Sequence, residues 1–293
     1  MLIYLATPKL SVIKKLNEHF PGIKPNILLS YGSPNIDTYN FLTTDRSLVG
    51  KIFLDSGTWT LNQNKTKYGQ IITINTYESY LNSEATHCDY YFNFDECYYE
   101  RTAFKINSYH QEKLEAAGFN PIYVIHNTKS IEVNYCINRK FDYVSVGSGA
   151  LKKKQSTADI VNHLHNNRIK THLLGLTKYD YLKDIPAYSC DSSSWTQAAV
   201  KSDAILFWNL NEEKQDKIHI ETMKDACKKG HFCYSNYPFK KELDDYLWNN
   251  LKLTYCNLLG KQGPENRKLV NMLYFIELEK RLTENHIKLG FPY

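Results

Sequence analysis

Residues 51–60 read KIFLDSGTWT. Ile52, Phe53 and Leu54 form an apolar run of strand length, and the run stops on Asp55, after which Ser56 and Gly57 allow the backbone to turn sharply. A carboxylate at the end of a buried strand costs free energy unless it is paired, so its presence asks for a reason. The design returns in AYSCDSSSWT at 187–196, where Asp191 follows a second short run and precedes a serine-rich turn.

Working outward from these two segments, eight runs rich in β-branched, aromatic and aliphatic residues read as strands: LIYLAT (2–7), NILLSYG (26–32), KIFLDSG (51–57), DYYFNFDE (89–96), IYVIHN (122–127), DYVSVGSG (142–149), KTHLLGLT (170–177) and AYSCDSSS (187–194). Helical patterns lie between several of them. KLSVIKKLNEHF places Leu10, Ile13, Leu16 and Phe20 on one face, and SYHQEKLEAAG ends on Gly118, where a helix is expected to stop. Strands alternating with helices imply parallel pairing, because each crossover returns the chain to the same edge of the sheet.

Eight such units predict an α/β fold, a (β/α)8 TIM barrel, whose chemistry gathers at the C-terminal ends of its strands. An open doubly wound sheet is the alternative, and it also gathers strand ends around a crevice. Those ends read Asp55, Asp95 with Glu96, His126 with Asn127, Gly147 with Ser148, and Asp191. No GxGxxG follows the first strand, so a dinucleotide cofactor has no support. Residues 1–200 are expected to form the barrel and 201–293 a C-terminal helical extension of the same domain. That extension holds a barrel-closing strand, AILFWNL (204–210), and helical patterns at 242–259 and 266–282 separated by Gly260, Gly263 and Pro264.

Composition bounds the function. The 293 residues are 42% hydrophobic and 23% charged, and no apolar stretch reaches the roughly 20 residues of a membrane span, so a soluble, cytoplasmic protein without a membrane partner is expected. The start, MLIYLATPKLS, lacks the basic region of a secretory signal and reads as a first strand. Seven irregularly spaced cysteines suggest reduced thiols. The net charge of +5 is mild, while 23 tyrosines and 13 phenylalanines offer flat faces for stacking on bases.

The ordered set of LDSGTW (54–59), FDEC (94–97), VSVGSGAL (144–151) and the late Asp191 resembles the strand-end motifs of the tRNA-guanine transglycosylases, TIM barrels that exchange guanine in a polynucleotide for a 7-deazaguanine. YSCDSSSW with the preceding HLLGLT is most similar to the phage and bacterial branch that modifies DNA; for a phage-encoded enzyme the location would be the host cytoplasm. The resemblance implies that Asp191 is the nucleophile and Asp55 the acid/base. It also implies that Asp95 reads the guanine edge, with Ser56 and the amides around Gly147 and Ser148 binding O6 and the 7-substituent. His126 or Asn127 stands near the place of a family glutamine, and Ser148 where the tRNA enzymes have glycine, so both positions bear on which 7-substituent is taken.

The implied partners are DNA, with tRNA as the alternative, and a free 7-deazaguanine such as the 7-cyano compound; a protein partner is compatible. No organic cofactor or metal enters the chemistry. The zinc motif of the tRNA enzymes is missing: Cys227, His231, Cys233 and Cys256 are the nearest candidates, and their spacing is not a common structural zinc signature.

Retention at a sugar carbon by two inversions calls for one attacking and one proton-moving carboxyl group, which suits two acids at two strand ends. Asp191 would stay ionised with help from Ser192 or Ser193, and Asp55 would gain proton affinity by desolvation. Lys152, Lys153 and Lys154, with Arg139 and Lys140, are candidate phosphate contacts, and Trp59 and Trp195 either stack on a base or fill the rim. A non-catalytic nucleic-acid-binding subunit and a glycoside hydrolase are the readings from other classes.

Overall fold

The computed structural model describes residues 1–62, 72–96, 102–128, 131–220 and 232–291. All eight predicted runs form strands: β1 (Leu2–Ala6), β2 (Asn26–Ser30), β3 (Ile52–Asp55), β4 (Tyr90–Tyr91), β5 (Tyr123–Ile125), β6 (Tyr143–Val146), β7 (Lys170–Leu173) and β8 (Ser189–Ser192). They build one all-parallel, curled sheet in the order β4-β3-β2-β1-β8-β7-β6-β5. Just outside β4 and β5, an isolated parallel bridge joins Phe92 to Ile122. There the Ile122 amide donates to Tyr91 O at 2.8 Å and the Asn93 amide to Ile122 O at 2.9 Å. The fold is α/β and barrel-like, with helices around the sheet.

Period-two alternation sorts the strand residues into two cores. Ile3, Leu5, Ile52 and Leu54 join the large cluster beneath the helices, whereas Tyr4, Ala6, Phe53, Phe92, Val124 and Tyr143 form a separate inner cluster. That interior is aromatic: Phe53 stacks on Phe92 with ring centroids 4.2 Å apart, and Tyr4 meets Phe53 edge-on at 5.3 Å. Rings fill the lower layers, and the next inward positions along β3 and β8 are Asp55 and Asp191. Helix α1 (Leu10–His19) buries Ile13 and Leu16 as its spacing predicts, and Gly118 beyond the helix Ala103–Ala116 adopts φ +89°.

The chain after 200 departs from expectation. AILFWNL does become a strand, β9 (Ala204–Asn209), but it does not enter the eight-stranded sheet. It pairs antiparallel with β10 (Lys214–His219), which in turn pairs with β11 (Phe232–Cys233). The sequence of β10, KQDKIH, is polar and lacks the apolar pattern of a strand. The last helix (Gly263–Lys288) packs this small sheet against the eight-stranded one. Its Asn271 accepts from the Leu206 amide and donates to Trp195 O, and Glu279 accepts from the Ile3 amide and Asn26 Nδ2. The end of the described chain is thereby fastened to its first strand. Cys88, Cys136, Cys190 and Cys256 are free thiols, whereas Cys233 is disulfide-bonded, which corrects the expectation of reduced thiols throughout. Spacing along the chain does not report which sulfurs fold side by side.

Candidate active site at the strand ends

Asp55 closes β3 and is half-buried. The turn that follows needs its glycine: Gly57 has φ +79°, and a Cβ there would sit 2.1 Å from the backbone nitrogen of Gly32, in the loop after β2. This close approach lets the Gly57 amide donate to Asp55 Oδ2 at 3.0 Å, and Ser30 Oγ donates to the same oxygen at 3.0 Å. Those bonds favour the carboxylate, but burial and the neighbouring charges of Asp95 and Asp191 prevail and push Asp55 up to about 7.

Asp191 lies on β8, 7% exposed. Its Oδ1 accepts from the Gly175 amide at 2.9 Å and from His172 Nε2 at 3.2 Å. The donors are therefore not the serines expected beside it: Ser192 bonds Ser194, and Ser193 accepts from Gln197. His172 is fully buried on β7, and its Nδ1 meets Ser189 Oγ at 2.6 Å; Ser189 in turn meets the Tyr143 hydroxyl at 2.5 Å. Among the described residues no hydrogen bond falls on Asp191 Oδ2. Asp191 and Asp55 lie close enough for their charges to interact across the top of the inner core.

A second knot surrounds Asp95, 5% exposed just past β4. Its Oδ1 accepts from Ser56 Oγ at 3.0 Å and Thr58 Oγ1 at 2.7 Å, and its Oδ2 meets His126 Nε2 at 3.0 Å. A carboxylate offers about four lone-pair positions, so only Oδ2 keeps one for a ligand in this arrangement. His126 is half-buried and faces Gly147, where a Cβ would come within 2.8 Å of the imidazole Nδ1. A side chain at 147 would displace that imidazole. Asn127 and Ser148 are exposed at the rim, and the amides of His126 and Asn127 both donate to the buried Glu132, which fixes their loop.

The nucleic-acid candidates divide. Lys152, Lys153 and Lys154 are exposed at the start of the helix Lys154–Asn166, beyond β6 and on the same side as Asp55; Lys154 lies 3.8 Å from Asp184. Trp195 is corrected: it is completely buried, and its indole donates to Ala6 O at 2.8 Å, so it fills the core and offers no face for stacking. Trp59 is 57% exposed on the short helix after Asp55. Arg139 and Lys140 fall between a helix and the start of β6, at the opposite end of the sheet, where Arg139 pairs with Glu115 at 2.6 Å. A phosphate role beside the site does not suit them. Of the zinc candidates, Cys227 and His231 lie outside the described residues, Cys233 is disulfide-bonded and Cys256 is an exposed thiol.

His172, Ser30, Thr58 and Gly175 join the site without having stood out in the sequence. A signal existed for the first: a histidine in the middle of KTHLLGLT is a polar residue inside an apolar strand, paired in register with Ser189 of β8. What stands at the strand ends is one carboxyl group holding a proton near neutrality and another carrying two donors on one oxygen, a division suited to proton transfer and nucleophilic attack. In comparisons with protein-family models, curated proteins and solved structures, nothing matches this chain.

Proposed function

We propose that the protein is a DNA-guanine transglycosylase, built on a closed (β/α)8 barrel, that exchanges guanine in DNA for a free 7-deazaguanine. The observation that supports it most is the unequal pair. Asp55 is pushed up to about 7, while Asp191 is tied through Oδ1 and keeps Oδ2 for bond formation.

Asp191 Oδ2 donates an electron pair to C1′ as the C1′–N9 bond breaks, and the departing guanine takes the bonding pair and a proton from Asp55. The incoming base then loses its ring N–H proton to Asp55, and that nitrogen attacks C1′. The C1′–O bond breaks and the Asp191 carboxylate is restored. Two inversions retain configuration at the sugar. In this reading Asp95 Oδ2 and His126 share the recognition of the base edge. Because a guanine inside a duplex is out of reach, the target is flipped out or single-stranded, with its phosphates on Lys152–Lys154.

Release of radiolabelled guanine from DNA and from tRNA, offered side by side with a 7-cyano base, tests the reading. DNA-dependent exchange that disappears in Asp191→Ala is expected. Exchange on tRNA alone would move the substrate, and undiminished exchange in Asp191→Ala would remove the nucleophile.

A further inference from the structure

Three neighbouring strands carry a buried chain of side chains that ends on Asp191. Tyr143 of β6 meets Ser189 of β8 at 2.5 Å, Ser189 meets His172 Nδ1 of β7 at 2.6 Å, and His172 Nε2 meets Asp191 Oδ1 at 3.2 Å. The exposures are 7%, 0%, 0% and 7% in that order, so none of these groups has bulk water as a ready substitute. With Asp191 as an accepting carboxylate and His172 as a neutral imidazole, the directions are fixed: Nε2 carries the hydrogen, Nδ1 accepts from Ser189, and Tyr143 donates to Ser189. Every donor points toward Asp191, and one neutral tautomer of His172 satisfies both of its bonds.

The ring is also clamped sideways. Phe53, Phe92 and Tyr4 lie with centroids 4.8, 5.4 and 5.9 Å from the imidazole. These aromatic walls fix the plane of the ring, and Ser189 fixes its tautomer, as outer partners do for histidines that ligate metals.

We propose that His172 is a positioning residue: held in one tautomer by Ser189 and Tyr143, it donates to Oδ1 of Asp191 and turns Oδ2 toward the sugar carbon. The proposal rests on the base-exchange reading, in which Asp191 attacks C1′. A histidine that served only to fill the inner core would be replaced best by another flat ring.

Two substitutions separate these roles. His172→Phe keeps the ring among Phe53, Phe92 and Tyr4 and loses both hydrogen bonds. His172→Gln loses the ring but keeps an amide N–H at about the reach of Nε2. The rate of covalent adduct formation on a single-stranded guanine oligonucleotide is measured in a single turnover on a denaturing gel, with binding of the same oligonucleotide measured separately. His172→Phe is expected to slow adduct formation about 10–100-fold, the worth of one hydrogen bond to a charged group, with oligonucleotide affinity unchanged. His172→Gln is expected to fall between Phe and the wild type. Phe equal to or faster than Gln overturns the proposal.

Ser189→Ala, which removes only a hydroxyl, covers the case in which His172→Phe does not fold. A several-fold slower adduct supports the chain, and a wild-type rate overturns it. A wild-type protein that forms no adduct at all refutes the base-exchange reading itself, a result distinct from any ranking of the variants.

Discussion

Replacing Asp55 by asparagine should make the protein more stable at alkaline pH and nearly leave it alone at acid pH. The Asp55 carboxyl is pushed up to about 7 by burial and by Asp95 and Asp191. In the unfolded chain it titrates near the ordinary aspartate value of about 3.9. Between those values the folded protein holds a proton that the unfolded chain has released, so stability falls as pH rises toward 7 and levels off above it. Each pH unit is worth about 1.4 kcal/mol, so the two units from about pH 5 to about pH 7 correspond to about 2.7 kcal/mol, an upper bound for a half-buried group.

Asparagine removes that dependence without breaking the local contacts. The bonds from Ser30 Oγ and the Gly57 amide both fall on one oxygen of Asp55, and the amide oxygen of asparagine can accept both. Urea unfolding of both proteins at about pH 5 and about pH 8.5 measures the effect. The variant should gain about 2 kcal/mol on the wild type between the two pH values. A gain below about 0.5 kcal/mol would refute the claim that Asp55 is strained toward its protonated form.

The same carboxyl sets the pH dependence of the proposed reaction: the rate of adduct formation should fall about tenfold per unit above roughly pH 7, as Asp55 loses the proton that guanine needs, and a rate flat to about pH 9 would exclude Asp55 as the acid. Gly57→Ala should destabilise the fold by about 2–4 kcal/mol in thermal or urea unfolding, because a Cβ would lie 2.1 Å from Gly32 N at φ +79°. Gly149→Ala, with nothing within 4 Å, should change stability by less than about 0.5 kcal/mol. Changing Lys152, Lys153 and Lys154 together to alanine should lower the salt dependence of single-stranded DNA binding by a slope of about 2, and an unchanged slope would show that these lysines touch no phosphate.

The barrel-like sheet was legible because its strands are short, apolar and spaced by amphipathic helices; all eight runs stand where their pattern placed them. The polar strand ends were legible for the same reason, since a carboxylate such as Asp55 breaks the apolar pattern of its own strand. What could not be read were contacts between strands. His172 looks like a stray polar residue until β7 lies beside β8 and brings it to Asp191, and Gly175 serves through a backbone amide that any residue possesses. Trp195 shows the converse error: its place four residues after an acid suggested the rim, whereas the helix Ser194–Lys201 turns the indole into the core. The many aromatic residues find part of their explanation inside the sheet, where Tyr4, Phe53, Phe92 and Tyr143 fill the layers under the acids.

The most direct measurement is the mass of the protein after incubation with a guanine-containing DNA strand, quenched in denaturant and digested to locate the modified peptide. A sugar-linked DNA adduct on Asp191 is expected, with loss of that adduct in Asp191→Ala and its discharge when a 7-deazaguanine base is added before the quench. An adduct on any other residue, or exchange that proceeds at full rate in Asp191→Ala, would contradict it.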